Sequence, residues 1–257
     1  MFRLHKWYFD CVAPDGDAAI VYAARLHWGL LRLGYTALLD HHGGRTHTRT
    51  LLGRPPAPTL GSDGCELVEP RLGLHAKWRG RPQLADRELW RSPRGAVVWS
   101  LRLPDATAEL TFAGRTLRGR GYVEHLALDV APWHLPIDEL RWGRWHGANR
   151  SLVWIEWRGP HPLRLCLLDG EPVDCGPITD CGFTFADGRR LALGTPTVLR
   201  DGDIERTVLT RRLLRWLPLP RAIRAMRETK WLSSGVLHGA GNDAIEGTAL
   251  HEVVRWG

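Results

Sequence analysis

The sequence has few cysteines, and their spacing excludes most of the structural roles that cysteines play. The five, Cys11, Cys65, Cys166, Cys175 and Cys181, are odd in number and include no C-x-x-C pair. This pattern predicts neither a disulfide framework nor a thiolate zinc site. Because free thiols are typical of a reducing compartment, we expect a cytoplasmic protein.

Long apolar runs and cofactor-binding motifs are also absent from the sequence. No stretch approaches ~20 consecutive apolar residues, and residues 1–10 (MFRLHKWYFD) contain no uninterrupted apolar segment, so we expect neither a transmembrane span nor a signal peptide. The chain has no P-loop, dinucleotide fingerprint or G-x-S-x-G elbow. The histidines of residues 41–49 (HHGGRTHTR) have no carboxylate or cysteine at a regular ligand spacing. We therefore expect no metal and no organic cofactor.

Positive charge is concentrated in one part of the chain. The segment Arg206–Lys230 carries eight basic residues and a single acid, and the rest of the chain is close to neutral. No zinc-finger, RRM or helix-turn-helix pattern accompanies it, so we expect no nucleic-acid partner. Two interpretations remain: a solvated basic face, which is the simpler one, or peripheral contact with the inner face of a membrane. The sequence indicates no oligomeric state.

What the chain does contain is a series of short apolar runs separated by Asp-Gly and Gly-Gly turn signals, which is typical of antiparallel β structure. Closed or nearly closed barrels hide strand edges most completely. We therefore predict an all-β protein with two barrel-like halves, residues 1–118 and 119–257, that meet in the glycine-rich segment Gly114–Gly121. The one predicted helix lies in the C-terminal half, at Pro220–Lys230, where apolar and basic stripes recur at helical spacing.

The segment Gly121–Val130 (GYVEHLALDV) is the strongest candidate for chemistry. Strand alternation places Tyr122 and Glu124 on the more apolar face and His125 on the other. A carboxyl group among apolar neighbours has a raised pKa and stays protonated near neutrality, as a general acid requires. An equally good interpretation is a buried Glu that pairs with an Arg as a structural strut. His125, on the other face, is a candidate for a hydrogen bond across the two halves.

Asp10 is a candidate for a second acid or for the group that orients Glu124. In Lys6–Asp10 (KWYFD), alternation places Asp10 with Tyr8 and opposite Trp7. The simpler alternative is an aspartate at a strand end, next to the turn at Pro14-Asp15-Gly16.

Tryptophan is unusually abundant, with 13 residues against five Phe. Four of them crowd the segment Leu140–Trp157, where Trp142 and Arg144 are predicted on one face of a strand. Aromatic walls suit polyene substrates and stabilise a developing carbocation by cation–π attraction, although tryptophan clusters more often fill a core. The candidate substrate-binding residues are Trp7, Tyr8, Trp133, Trp142, Trp145 and Trp154.

Three segments, KWYFD at residues 6–10, GRGYVEH at 119–125 and LRWGRW at 140–145, together resemble the carotenoid 1,2-hydratase (hydroxyneurosporene synthase) family. Fungal Diels–Alderases and tocopherol cyclase share a related architecture. The resemblance implies two lipocalin-like domains, a cavity near their junction, and cofactor-free chemistry on apolar polyenes. Glu124 replaces the acid of that family conservatively, while Val123 and Leu126 replace polar residues. A site without those polar groups favours cyclisation or isomerisation over hydration.

The leading hypothesis is therefore a cofactor-independent cyclase, isomerase or hydratase that acts on a hydrophobic isoprenoid or polyene-type molecule. Glu124 would be the acid and Asp10 its partner, while Tyr122 and Arg144 would orient a substrate oxygen. The alternative is a carrier that binds a lipophilic ligand without catalysis, since a tryptophan lining and a structural Glu124 would suffice for it.

Overall fold

The chain folds into two compact units, Met1–His134 and Leu135–Gly257. A computed structural model describes residues 1–83, 85–203, 225–239, 241 and 243–256. The division that the sequence predicted, between residues 118 and 119, falls instead inside a strand that spans Arg115–Leu128.

The glycines of this segment serve close strand contacts rather than a linker. A Cβ atom on Gly119 would lie 1.9 Å from the carbonyl oxygen of Val12, and one on Gly121 would lie 2.6 Å from the Trp78 ring. Glycine inside a strand commonly marks such close approaches. The glycine-rich composition that suggested a boundary between two halves therefore reflects close packing within the first unit.

The first unit contains one antiparallel sheet. Its strands are β1 (Phe2–Val12), β2 (Ala18–Trp28), β3 (Leu31–His42), β4 (Arg45–Leu52), β5 (Thr59–Leu60), β6 (Gly64–Glu69), β7 (Leu74–Arg79), β8 (Ala85–Ser92), β9 (Gly95–Phe112) and β10 (Arg115–Leu128). The strand order is β4-β3-β2-β1-β10-β9-β7-β6-β5, and β8 also pairs with β9. The central position of β1 and β10 buries both faces of the sheet where Tyr8–Val12 of β1 lies beside Gly121–Glu124 of β10.

The second unit contains a second antiparallel sheet. Its strands are β11 (Glu139–Gly147), β12 (Ser151–Arg158), β13 (Leu163–Leu168), β14 (Glu171–Val173), β15 (Gly182–Thr184), β16 (Arg190–Leu193), β17 (Thr197–Asp203), β18 (Arg227–His238) and β19 (Ala244–Arg255). Their order is β14-β13-β12-β11-β19-β18-β16-β15, and β17 pairs with β18. The predicted all-β, two-unit organisation is confirmed.

Helical structure in the described part of the chain is limited to two 3₁₀ turns, Pro70–Leu72 and Pro132–His134. The predicted helix Pro220–Lys230 lies outside the described residues up to position 224, and its last four residues begin β18. There Glu228 and Lys230 are buried while Arg227 is exposed, which is the two-residue period of a strand. That part of the helix prediction is wrong, because pairing with β19 overrides the local helical spacing. The basic segment that suggested membrane contact lies mostly among the residues that are not described.

Cys166 and Cys175 form a disulfide with a Cα–Cα distance of 6.6 Å. The prediction that no cysteine is disulfide-bonded is therefore wrong. The two cysteines are nine residues apart, and the pairing of β13 with β14 brings their backbones together, which their spacing in sequence does not reveal. Because disulfides are rare in reducing compartments, the cytoplasmic expectation loses its main argument. No helix in the described ranges has the length and apolarity needed to cross a membrane.

Each unit has its own apolar core. In the first, one face of the sheet packs around Phe9, Trp78 and Val123. In the second, the corresponding cluster includes Trp145 and Trp154. The opposite face of β1, β2 and β10 in the first unit is also buried, and it carries the polar residues of the candidate site.

Candidate functional site

The pairing of β1 with β10 assembles the predicted acid and its neighbours on one face of the sheet. Tyr8 lies opposite Glu124, and Asp10 lies opposite Tyr122. Directly paired residues of an antiparallel sheet share a face, with Cβ atoms about 4.5–5.5 Å apart. The two sequence segments thus meet as a single patch, although they are more than a hundred residues apart.

Glu124 is buried, with 6% of its surface exposed, and its carboxyl group is held by two hydrogen bonds. The Tyr122 hydroxyl donates to Oε2 at 2.7 Å, and the Trp99 indole Nε1 donates to the same oxygen at 2.5 Å. Trp99 lies on β9, which pairs with β10 through a register shift on each side of Val123. This arrangement fixes the orientation of the carboxyl group within the sheet.

The two donors also determine where an acidic hydrogen sits. An indole N–H can only donate, so Oε2 must act as an acceptor. A neutral Glu124 therefore carries its hydrogen on Oε1, because the carbonyl oxygen is the better acceptor for two donors. Burial favours the neutral carboxyl group, and hydrogen bonds to Oε2 favour the carboxylate. Both donors thus contact the same oxygen of the carboxyl group.

Aromatic rings surround this carboxyl group on the same face. Tyr8 contacts both Tyr22 and Tyr122 edge to face, with ring centroids 5.5 and 6.0 Å apart. The Lys6 ammonium lies 5.6 Å from the centre of the Tyr22 ring. Electron-rich ring faces attract cations, as this lysine contact illustrates. The same faces could stabilise positive charge on a substrate.

Asp10 lies on the same face and is fully buried. Its backbone carbonyl accepts a hydrogen bond from the Trp78 indole at 2.7 Å. Asp10 lies on β1 two residues before its last residue, Val12, which is close to the strand end that the simpler sequence interpretation predicts. Its place beside Tyr122 suits a partner of the acid.

His125 lies on the opposite face from Glu124, as strand alternation predicts. Its ring stacks on His5 with a centroid distance of 5.4 Å and contacts Trp7 at 4.7 Å. Burial, together with the nearby charges of His5 and Arg102, lowers the pKa of His125 to about 4. A neutral imidazole on the other side of the sheet does not join the Glu124 carboxyl group. His125 therefore lies apart from the other candidate catalytic residues of β1 and β10.

Two of the predicted substrate-binding tryptophans also lie away from the acid. Trp7 shares the face of His125 and packs against the core of the first unit. Trp133 contacts Phe2 and Trp28, with centroid distances of 5.7 and 5.1 Å. Phe2 and Tyr8 are six residues apart on one strand, about 20 Å. Sequence alternation identified the face of Trp7, but not the partners of Trp133.

The remaining candidates belong to the second unit. Trp142 and Arg144 lie on one face of β11, and both are buried. The Lys230 ammonium lies 5.6 Å from the Trp142 ring centre. Trp145 donates from Nε1 to the carbonyl of Gly235 at 3.1 Å, and Trp154 packs against Phe183.

Trp145 and Trp154 thus belong to the core of the second unit, not to a substrate-contacting surface. The sequence had offered core filling as the commoner role of a tryptophan cluster, and these two residues follow it.

Trp99 is the site residue that sequence reasoning missed. The two-residue turn Ala113–Gly114 joins β9 to β10 as a hairpin, but no local pattern gives the register shifts within their pairing. A register shift then carries the Trp99 indole to Glu124. Within the described ranges, no group of three or more His, Cys, Asp or Glu side chains is arranged to hold a metal ion.

The architecture is similar to that of several solved structures. CghA superposes with a TM-score of 0.64 at 13% identity, over 99% of this chain and 88% of that one. Kievitone hydratase from Nectria haematococca gives 0.53 at 12% identity, over 98% and 88%. An AttH-type protein from Nitrosomonas europaea gives 0.55 at 10% identity, over 98% and 91%. No protein-family model and no curated protein matches the chain. The likeness confirms the predicted lipocalin-like fold of two β units.

Proposed function

We propose that this chain is a cofactor-independent enzyme that transfers a proton to an apolar polyene, with Glu124 as the acid. The observation that carries the proposal is the buried Glu124 carboxyl group, held through Oε2 by Trp99 and Tyr122. That two-point attachment directs the reactive hydrogen to Oε1. Support for the class comes from the similar fold of kievitone hydratase, whose name describes an enzyme that adds water to its substrate.

The proposed reaction is balanced in atoms and electrons. The O–H bond at Oε1 breaks as a C–H bond forms on an alkene carbon, which leaves a carboxylate and a substrate cation. Loss of a proton from a neighbouring carbon to the carboxylate then gives an isomerised alkene. Attack of a second double bond on the cation before that step gives a ring instead. Both outcomes regenerate the neutral acid.

The other residues take supporting roles in this proposal. The rings of Tyr8, Tyr22 and Tyr122 would stabilise the cation by cation–π attraction, roughly 0.5–2 kcal/mol for each favourable contact. Asp10 would act as the partner of the acid.

Deuterium incorporation tests the proposal directly. The protein is incubated in D₂O with a panel of acyclic isoprenoids and carotenoid precursors, and products are analysed by mass spectrometry. We expect one deuterium in each product molecule and a loss of at least about a hundredfold in rate for Glu124→Gln, the scale of general acid catalysis. Glu109→Gln, an exposed residue on β9, is the matched control and should keep the parent rate. Equal rates for Glu124→Gln and the parent on a substrate that turns over would refute the assignment.

A carrier function is the second candidate. Both donors to Glu124 come from the same sheet, which is also what a structural strut would show. A carrier would bind an unchanged polyene in a one-to-one complex and give no deuterated product. Glu124→Gln would then weaken folding stability and leave the chemical identity of the recovered ligand unchanged.

A further inference from the structure

One end of the first sheet carries an exposed apolar tip. The backbone N–H of Gly29 donates to the carbonyl of Met1 at 3.1 Å, so the start of β1 lies against the β2–β3 hairpin turn. Met1 and Leu30 project from this tip with exposed fractions of 94% and 102%. Among the described residues, no other large apolar side chain has an exposed fraction as high as those of Met1 and Leu30. The apolar tip consists of Met1 and Leu30.

Aromatic side chains lie directly behind the apolar tip. Phe2 pairs with Trp28 across β1 and β2, and Trp28 pairs with Leu31 across the hairpin. Trp133 packs edge to face against both Phe2 and Trp28. Phe2, Trp28 and Trp133 are half-buried. The amphipathic indole rings of Trp28 and Trp133 in this position resemble those that proteins place at the level of lipid headgroups.

Basic side chains cover the other face of the same strands. Arg3 lies opposite His27, and His27 lies opposite Arg32, so the three form a row across β1, β2 and β3. Arg25 lies two residues further from the turn on the same face. Residues 1–6, 23–35 and 126–134 contain four Lys or Arg residues and one acid, Asp129. Asp129 pairs with Arg3, which leaves the charge of this end positive.

We propose that the apolar tip docks on the surface of an anionic lipid bilayer. Insertion of Met1 and Leu30 removes their apolar surface from water, while the rings behind them occupy the headgroup level. Arg25 and Arg32 then face the negative surface potential, which attracts basic residues near the membrane. A bilayer fits this combination because it offers apolar depth and negative charge at the same place.

The position of the tip also relates it to the candidate acid. Leu4, Leu26 and Leu33 form the next apolar row, on the same face of the sheet as Tyr8 and Glu124. Leu4 and Tyr8 are four residues apart on one strand, about 13 Å. With the tip docked, this apolar row would lie between the lipid bilayer and the Glu124 carboxyl group. This route for a membrane-dissolved polyene rests on the proposed function, whereas docking itself does not.

Vesicle co-sedimentation tests docking without any turnover. The full chain is mixed with phosphatidylglycerol vesicles or with phosphatidylcholine vesicles, and the bound fraction is measured at low and high salt. We expect binding to phosphatidylglycerol alone and a loss of at least tenfold in apparent affinity for Leu30→Glu. Leu60→Glu, which changes another exposed leucine of the first unit, should bind like the parent. Because Leu30 has no buried surface to lose, its variant should keep the parent melting temperature.

A second variant tests the electrostatic part. Arg25→Gln combined with Arg32→Gln should reduce binding and weaken its dependence on salt. If the parent ignores phosphatidylglycerol vesicles, the proposal is overturned. It is equally overturned if Leu30→Glu binds them as well as the parent does, since attachment would then occur elsewhere on the chain. Docking should persist in Glu124→Gln. That result would show that docking does not depend on the proposed acid chemistry.

Discussion

The hydrogen bond from Trp99 to Glu124 gives a prediction that separates an acid from a strut. Trp99→Phe removes the Nε1 donor 2.5 Å from Oε2 and leaves the Tyr122 donor at 2.7 Å. A hydrogen bond to a charged group contributes about 1.5–3 kcal/mol, against about 0.5–1.5 kcal/mol for a neutral pair. The lost donor therefore disfavours the carboxylate relative to the neutral carboxyl group by about 1 kcal/mol, roughly a fivefold change in the protonation equilibrium.

The sign of the pH effect follows from this difference. A general acid works only while it holds its proton, so the rate falls as pH rises through its titration. When the carboxylate loses a donor, the neutral form persists to higher pH. We expect the descending limb of the pH–rate profile to move to higher pH in Trp99→Phe. The maximum rate should fall as well, because Oε1 is held less firmly.

The assay is deuterium incorporation as a function of pH for the parent, Trp99→Phe and Tyr122→Phe. Tyr122→Phe should move the limb in the same direction, since it removes the other donor to the same oxygen. Trp90→Phe, on the neighbouring strand β8, controls for the loss of an indole elsewhere in the sheet. A Trp99→Phe profile that coincides with that of the parent would refute the role of this contact.

Two further predictions concern the second unit. Burial lowers the pKa of His251 to about 4, and its Nε2 lies 2.9 Å from the Ser233 hydroxyl. In the unfolded chain His251 takes up its proton near pH 6.5, so the free energy of unfolding should fall by up to about 3 kcal/mol as pH drops from 6.5 to 4. His251→Asn should flatten that decline when unfolding is measured by urea titration at several pH values. An unchanged dependence on pH would contradict the prediction. Replacing Cys166 and Cys175 together by Ser should lower stability by about 3 kcal/mol, as expected for a short loop. Thermal melts should show this loss while Cys181→Ser, an exposed free thiol, melts like the parent; equal melting of all three proteins would argue against the disulfide.

The register and bridging of paired strands determined features that no local sequence pattern announces. Trp99 reaches Glu124 only through the register shift between β9 and β10. The Cys166–Cys175 disulfide depends on the β13–β14 hairpin. Arg227–Lys230, the last four residues of the predicted helix, form a strand through pairing with β19. The boundary between the units, after His134, likewise follows contacts between strands and not the glycine content of Gly114–Gly121, which lies within the first unit.

The sequence by itself determined the all-β class, the face that Tyr122 and Glu124 share, and the placement of His125 on the other face. These follow from alternation along single strands, because a two-residue period is a property of the backbone and needs no partner. The tertiary structure decided which side chains meet that face, including Asp10, Tyr8 and Trp99. Such contacts depend on register, and a shift of one residue would turn each side chain to the opposite side of the sheet.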